Sequence, residues 1–378
     1  MNPNSSQPSM DIAQLLAELT ELGGSDLSLK ADSRPAVRVD GQLRWLDEGW
    51  GELTAADTLG VLEAVLPADR KAEFAGEHEV DFACTVNAPR PMRFRVNAFR
   101  QRGAVSLVFR VVPDTIRSLD ELGLPDVVRE LADEERGIVL VTGSSGAGKS
   151  TTLAAMIEHI NTTKFRRVVT IEDPIEFVYR DKRSIIEQRE VGSDTNSFEG
   201  ALRRVLRQDP DVILIGEMRD EATVRTALAA AETGHLVLST LHTLDAPESI
   251  NRILEFFPPA QHAQARMMLA ATLRGIVSQR LVPRADGSGR LAITEIMTMT
   301  GRVNDLIRNP ERDGRLTDVM AQGAYYGMHT FDQSLYAAVQ SGDVARSDAQ
   351  RFASQSHDLH LRLASATRSE PPVAALCA

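Results

Sequence analysis

The residues of this chain best suited to chemistry form a glycine-rich loop at positions 143–150, with the sequence Gly-Ser-Ser-Gly-Ala-Gly-Lys-Ser. An apolar run, Ile138–Val141, precedes the loop, and apolar residues at helical spacing follow it as far as Ile160. A strand that leads through such a loop into a helix directs several backbone N–H groups, and the positive end of the helix dipole, at one point. The sequence therefore predicts a phosphate-binding loop, with Lys149 on the β- and γ-phosphates of a nucleotide and the Ser150 hydroxyl on Mg²⁺. The residues expected to contact the nucleotide are Gly143, Ser144, Ser145, Gly146, Ala147, Gly148, Lys149, Ser150 and Thr151.

Carboxylates follow two further apolar runs. Val168–Ile171 leads into Glu172–Glu176, and Val212–Ile215 leads through Gly216 to Glu217. An acid at the carboxyl edge of a parallel sheet lies beside the phosphates, where it can hold Mg²⁺ or accept a proton from water. The second run has the shape of a metal-supporting Walker B strand, although glycine stands where aspartate is usual. For both runs a solvated acidic turn is the alternative interpretation.

Two histidines, His235 and His242, bracket a third apolar run. Their odd separation directs them to opposite faces of a regular strand, so they are not expected to bind one metal ion together. His242, just beyond the end of the strand, is the better candidate for contacting a γ-phosphate, whereas a structural role is the usual one for a lone histidine. His357 and His360 have helical spacing, and we interpret them as a solvated helix end.

Composition places the chain among ordinary globular proteins. It has 378 residues, enough for two or three domains, and a net charge of −11 argues against broad binding of nucleic acid. The sequence has no apolar stretch long enough to span a membrane, and its N-terminus does not resemble a signal peptide. Two cysteines form neither a disulfide framework nor a four-thiolate zinc site. Together these features favour the cytoplasm.

The elements that must position the loop fall into two regions. Before residue 113 the patterns indicate a small α+β domain with an antiparallel sheet. Asp40-Gly41 between two short runs is a hairpin signal, and Thr54 with Asp57 resembles a capping box that opens a helix. Two further strands are predicted at Arg93–Arg100 and Val105–Val112.

After a polar linker, apolar runs alternate with helical patterns, which is typical of parallel strands joined by crossover helices. The predicted strands of this region are Ile138–Val141, Val168–Ile171, Val212–Ile215, Leu236–Leu238, Ile276–Val282 and Leu291–Ile296. The predicted organisation is a disordered segment at 1–9, a first domain at 10–112, a linker at 113–124, an ATPase core at 125–300, a helical region at 301–363 and a disordered tail at 364–378.

Together these motifs resemble the PilT-type retraction ATPases of type IV pili, within the secretion-ATPase superfamily. The boxes stand in the family's order: Walker A at Gly143–Ser150, the aspartate box at Thr170–Glu176, Walker B at Asp211–Glu217 and the histidine box at Gly234–His242. Four ordered boxes in one chain make the resemblance far more specific than a phosphate loop alone.

The resemblance implies an α/β fold class. An N-terminal PAS-like α+β domain would be joined to a C-terminal RecA-like P-loop ATPase domain, followed by a helical C-terminal region. It further implies ATP and Mg²⁺ as cofactors, ATP between the two domains, and a ring of six subunits. By motif position, Glu176 would be the general base, Glu217 would support Mg²⁺ and His242 would sense the γ-phosphate. Arg95 and Arg110, on the N-terminal strands, would close over the phosphates and neutralise charge.

The implied partners are other copies in a homohexamer, an inner-membrane platform protein and a paralogous pilus ATPase, without nucleic acid and without direct membrane insertion. The implied location is the cytoplasm, peripheral to the inner face of the cytoplasmic membrane.

Two departures bear on function. Residues 302–308 read Arg-Val-Asn-Asp-Leu-Ile-Arg where the family carries the Ala-Ile-Arg-Asn-Leu-Ile-Arg motif that is associated with retraction. With two cysteines, the chain also lacks the four-cysteine zinc motif of assembly and secretion relatives. We therefore expect a hexameric ATP-hydrolysing motor for pilus retraction and twitching motility. The alternatives are an accessory ring subunit with weak hydrolysis, a secretion-system ATPase and a nucleic-acid translocase.

Overall fold

The computed structural model describes residues 11–39, 41–46, 49–87, 90–311 and 314–369. The disordered segment predicted at 1–9 and the end of the predicted tail, 370–378, lie outside the described residues. The chain divides into two compact units after Thr115. The short segment Glu176–Val178 groups with the first unit, although it lies within the sequence of the second. No sequence pattern predicted this grouping.

The first unit is a six-stranded antiparallel sheet with helices, as the α+β pattern predicted. Its elements are α1 (Ile12–Glu21), β1 (Asp26–Lys30), β2 (Ala36–Val39), β3 (Gln42–Trp45), α2 (Ala55–Val65), α3 (Lys71–Glu77), β4 (Glu79–Asn87), β5 (Pro91–Gln101) and β6 (Ala104–Val112). The strand order is β3-β2-β1-β6-β5-β4, so the strand pair nearest the centre joins β1 to β6.

Local sequence signals explain several of these elements. The strands β2 and β3 pair as the predicted hairpin, and the Thr54–Asp57 capping box opens α2. Strands β1 and β4 were not predicted, although β4 alternates exposed Glu79 and Asp81 with buried Val80 and Phe82. Beneath the sheet, Phe94 and Phe109 are fully buried and meet edge to face, with ring centroids 6.5 Å apart.

The second unit is built on a seven-stranded sheet. Its elements up to the end of that sheet are α4 (Asp126–Ala132), β7 (Gly137–Thr142), α5 (Lys149–Thr163), β8 (Arg167–Glu172), β9 (Ile185–Glu190), α6 (Phe198–Val205), β10 (Val212–Ile215), α7 (Glu221–Glu232), β11 (Leu236–Leu241), α8 (Ala246–Glu255), α9 (His262–Thr272), β12 (Leu273–Pro283) and β13 (Arg290–Thr298). The strand order is β13-β12-β7-β11-β10-β8-β9.

Every pair of neighbouring strands in this sheet is parallel except β12 and β13, the last two strands along the chain. The alternating pattern predicted that β13 is also parallel, and this is wrong, since β12 and β13 pair antiparallel. Only residues 284–289 connect them, whereas a parallel crossover needs about a dozen residues or more. The edge strand β9 was not predicted, because only its first two residues are apolar.

A helical region follows the sheet. Its helices are α10 (Gly301–Arg308), α11 (Leu316–Gln322), α12 (Phe331–Gln340), α13 (Arg346–Phe352) and α14 (Ser356–Ser369). The predicted tail began at residue 364, but α14 continues to Ser369, because Leu359 and Leu363 are buried in a cluster with Phe331 and Leu335 that anchors the helix. Among the described residues, no helix is both long and apolar enough to cross a bilayer.

The buried aromatic pair of the first unit gives a stability prediction. We expect Phe109→Ala to destabilise that unit by about 3–5 kcal/mol, since it removes a fully buried ring and leaves a cavity. Both tryptophans of the chain, Trp45 and Trp50, lie in this unit, so tryptophan fluorescence during urea unfolding reports its stability. Phe165→Ala, at an exposed ring, is the matched control, and equal midpoints for the two variants would contradict the assigned core.

Candidate functional site

The glycine-rich loop joins the central strand β7 to α5, which begins at Lys149. Every residue of β7 is buried, and the strand pairs in parallel with β11 on one side and β12 on the other. The loop is therefore anchored at the middle of the sheet, with the N–H groups of the first turn of α5 at its far end.

Two glycines in the loop meet different constraints. Gly143 has φ of 143°, and a side chain there would place its Cβ 2.6 Å from the Gln279 carbonyl oxygen of β12. Gly146 has φ of 77°, but open space surrounds its missing side chain. Position 143 therefore requires glycine for both backbone conformation and packing, whereas position 146 requires it for conformation alone.

Lys149 is buried, and its ammonium group is satisfied by the loop itself. Nζ donates to the carbonyl oxygens of Gly143 at 2.8 Å and Ser144 at 3.0 Å. Burial lowers the pKa of Lys149, and the nearby Glu217 carboxylate opposes this shift. A buried cation that rests on neutral carbonyl oxygens, with a carboxylate nearby, is suited to receive an anionic group.

Glu217 is positioned by the end of β10. Parallel pairing places Ile215 beside Ser239 of β11, and Ser239 Oγ donates to the Ile215 carbonyl at 2.8 Å. Thr240 Oγ1 donates to the Gly216 carbonyl at 2.6 Å. Gly216 itself packs closely on β8, since a Cβ there would lie 3.3 Å from the Ile171 carbonyl oxygen. A side chain at position 216 would therefore need the end of β8 to shift by a few tenths of an ångström.

His242 and Arg219 both contact Glu217. His242 Nε2 lies 3.4 Å from Glu217 Oε1, and Arg219 Nε donates to Glu217 Oε2 at 2.9 Å. Arg219 also reaches Asp173, with a distance of 3.3 Å between Nη1 and Oδ2. Arg219 was not among the predicted site residues, because nothing in its spacing shows that it bridges the acids that follow two different strands.

The acids after β8 differ in their environments. Glu172 is buried and accepts hydrogen bonds from Thr170 at 2.8 Å and from Gln188 of β9 at 3.1 Å, so its role is structural. Glu190, also on β9 and buried, accepts the Ile175 N–H at 3.0 Å and fixes the residue just before Glu176. Glu190 was not among the predicted site residues, because β9, the strand that carries it, was not predicted.

Glu176 pairs with Arg95 in the first unit, with 2.8 Å between Oε1 and Nη1. Arg95 lies directly opposite Arg110 in the pairing of β5 with β6, and Arg110 lies opposite Asp26 of β1. Arg110 Nε donates to Asp26 Oδ1 at 2.7 Å. Adjacent like charges repel each other across a sheet, and here each guanidinium has its own carboxylate.

The structure thus places the candidate residues in two sets, one in each unit. Arg95, Arg110 and Glu176 belong to the first, and the phosphate loop with Glu217 and His242 belongs to the second. His235 has a structural contact instead, since its Nδ1 lies 2.9 Å from the Ala230 carbonyl oxygen. Within the part of the chain that the structure describes, no group of three or more His, Cys, Asp or Glu side chains could hold a metal ion, and that includes His357 and His360.

Comparison with known proteins identifies relatives over nearly the whole chain. The family model of type II/IV secretion system proteins matches residues 79–346. The chain is 42% identical to the type IV pilus retraction ATPase PilT of Pseudomonas aeruginosa over 344 residues, which cover 91% of this chain and 98% of PilT. It is 41% identical to the type IV pilus ATPase PilU of the same organism over 361 residues, which cover 96% of this chain and 93% of PilU.

A solved structure supports the same relationship. A crystal structure described as the pilus retraction motor PilT with bound ADP superposes with a TM-score of 0.86 at 41% identity, covering 93% of this chain and 99% of that one. The predicted fold class, an N-terminal α+β domain followed by a P-loop ATPase domain, is confirmed by this match and by the family model.

The two loop glycines give a graded prediction. We expect Gly143→Ala to abolish nucleotide binding, because the new methyl group would overlap the Gln279 carbonyl at a φ that side chains rarely adopt. Gly146→Ala should weaken binding less, since it carries only the left-handed backbone penalty of about 1–2 kcal/mol. Titration with a fluorescent ADP analogue measures both, and binding by Gly143→Ala as tight as that of Gly146→Ala would refute the loop geometry.

Proposed function

This chain belongs to the type II/IV secretion system protein family, among its PilT-type pilus ATPases, and from that premise we propose that it hydrolyses ATP as a motor for type IV pilus retraction. The observation that carries the proposal is the phosphate loop with Lys149 buried on it and Glu217 beside it. We propose that the β- and γ-phosphates replace the Gly143 and Ser144 carbonyl groups as partners of Lys149.

Mg²⁺ fits the oxygen donors present. Ser150, in the first turn of α5, offers an exposed hydroxyl, and Glu217 offers a carboxylate at the end of β10. Mg²⁺ prefers oxygen ligands and is usually held by one or two protein groups together with substrate phosphates and water. When bound, the ion would bridge and neutralise the phosphate oxygens. Glu217 would then exchange part of its contact with Arg219 and His242 for the ion.

Glu176 is the proposed general base, and its ion pair sets a condition on that role. Glu176 Oε1 already accepts a hydrogen bond from Arg95, so that oxygen is not open to a water molecule while the pair persists. We propose that ATP phosphates draw Arg95 away from Glu176, which frees the carboxylate to accept a proton from the attacking water. Arg95 and Arg110 would then neutralise charge on the transferred phosphoryl group.

His242 is the proposed sensor of the γ-phosphate. Its side chain is more than half exposed, and Nε2 is directed at Glu217 rather than buried in the sheet. A histidine in that position can donate a hydrogen bond to a phosphate oxygen and lose it after hydrolysis. The presence of the γ-phosphate would thereby alter the position of the loop that follows β11.

An accessory role is a second candidate, because the chain is nearly as similar to PilU as to PilT. The altered stretch 302–308 forms α10, where Val303 and Ile307 face the core. Valine at position 303 therefore keeps the buried apolar contact of the family's isoleucine. The substitutions at Arg302, Asn304 and Asp305 change surface and half-buried groups, so they are suited to alter a partner contact rather than ATP hydrolysis.

The assembly is part of the proposal. We propose that six copies form a ring that acts at the inner face of the cytoplasmic membrane through a platform protein, with a paralogous ATPase as a further partner. Domain movement on ATP binding and after hydrolysis would convert the chemistry into work on that partner. The acidic composition and the absence of a basic, aromatic-rich segment in the sequence weigh against nucleic acid as the substrate of this motor.

The rate of ATP hydrolysis by the purified protein distinguishes a motor from an accessory subunit. We expect Mg-ATP hydrolysis by the wild type and its loss in Lys149→Ala, because the cation that neutralises the β- and γ-phosphates is removed. Lys182→Ala, at an exposed lysine paired with Glu158, is the matched control and should behave as wild type. Nucleotide binding without turnover by the wild-type ring would favour the accessory subunit.

The role of Glu176 has its own prediction. Glu176→Gln should lower kcat by about 10²–10⁴-fold while the affinity for ATP is retained or rises, because the proton acceptor is removed and the ion pair that holds Arg95 is weakened. The control is Glu187→Gln on β9, which removes a surface ion pair with Arg167 of β8 and should leave kcat unchanged. Phosphate release and analogue binding separate the two quantities, and loss of binding in Glu176→Gln would mean that the residue is structural.

A further inference from the structure

One buried carboxylate joins two helices of the second unit. Glu295 lies on β13 and is 4% exposed. It accepts the backbone N–H of Ala246, the first residue of α8, at 3.1 Å. The next residue of β13, Ile296, donates its backbone N–H to the His329 carbonyl at 2.9 Å, two residues before α12 begins at Phe331. Glu295 therefore lies beside the N-termini of two helices that are far apart in the sequence.

On the α8 side, the hydrogen-bond partner of Glu295 is Ala246, which lies four residues along the chain from His242. A dense set of hydrogen bonds makes the connecting segment stiff. Thr243 Oγ1 lies 2.6 Å from Ser249 Oγ, the Leu244 N–H donates to Glu248 at 2.7 Å, and Asp245 caps the helix by accepting the Glu248 N–H at 2.8 Å. Because these hydrogen bonds leave few freely rotatable backbone bonds between His242 and Ala246, the two residues should move together.

On the α12 side, the contacts continue to the end of the chain that the structure describes. The Arg280 guanidinium lies 3.8 Å from the centroid of the Phe331 ring and donates to the Phe352 carbonyl at 2.6 Å. Asp332 accepts the backbone N–H groups of Ser354 and Gln355, just before α14. The start of α12 is therefore tied to α13 and α14.

The charge on Glu295 depends on these partners. Burial raises the pKa of Glu295 to about 7, and the Asp245 carboxylate adds to the rise, whereas the Ala246 and Phe331 N–H groups and the Arg280 guanidinium lower it. A buried carboxylate at two helix N-termini is stabilised by both dipoles, so displacing either helix weakens the environment that holds the charge.

We propose that Glu295 is a positioning residue for ATP hydrolysis, which fixes the His242 loop through α8 and couples the position of that loop to α12 and the C-terminal helices. The inference rests on the proposed function, since it takes His242 as the residue that responds to the γ-phosphate. It assigns Glu295 no contact with the nucleotide. Its effect would pass through the starts of α8 and α12.

The test compares hydrolysis with the response of α12. Glu295→Gln removes the charge beside the two helix N-termini, and one of the two acceptor oxygens becomes an NH₂ group, which cannot accept a backbone N–H. We expect kcat to fall about tenfold with the KM for ATP unchanged, because the loop is misplaced while the phosphate loop is intact. In the wild type, a non-hydrolysable ATP analogue should slow hydrogen exchange at residues 331–340, and Glu295→Gln should lose that response.

Two further variants keep the test decisive. Glu295→Asp retains the charge but is too short to reach both helices, so it should show the same fall in kcat and the same loss of the α12 response. It can therefore replace Glu295→Gln if that variant fails to fold. Thr300→Ala removes the cap of α10 at the end of β13 and is the control, with lower stability but unchanged kcat and an intact α12 response.

The outcomes separate the two proposals. An unchanged kcat in both Glu295 variants, or an exchange response of α12 that persists in them, would overturn the positioning role, as would the absence of any response in the wild type. If the wild type binds the analogue but hydrolyses no ATP, the motor function fails, and the exchange comparison still decides whether Glu295 couples the two helices.

Discussion

Parallel pairing of β8, β10, β11 and β7 is the constraint on which the candidate site of the second unit depends. Their registers align the four strands so that all of them end at one edge of the sheet. The segments that leave that edge carry the acids after β8, Glu217, His242 and the phosphate loop. Because almost every residue of these strands is buried, a slip in register would cost the whole core and not one contact alone.

Within each unit, the charged candidate residues have polar or oppositely charged partners. Lys149 rests on loop carbonyls, Glu217 contacts Arg219 and His242, Arg95 pairs with Glu176 and Arg110 pairs with Asp26. A phosphate group at the loop of the second unit would compete with the Gly143 and Ser144 carbonyl groups for Lys149.

The sequence predicted the elements whose residues follow a simple local pattern. Buried parallel strands are continuous apolar runs, and the capping box of Thr54 and Asp57 is a local signal that the structure confirms. The edge strand β9 could not be predicted in this way, since half-exposed residues carry no clear period. The bridging role of Arg219, the buried contacts of Glu190 and Glu295, and the grouping of Glu176–Val178 with the first unit depend on tertiary proximity, which no spacing along the chain records.

If the phosphate loop drives pilus retraction, loss of Lys149 should stop it in living cells. Single labelled pili can be followed in cells in which this chain is the sole retraction ATPase, with wild type compared with Lys149→Ala. Pili should retract in cells with the wild type and remain extended in cells with the variant at equal protein level. Retraction that proceeds equally with Lys149→Ala would show that this loop does not power it.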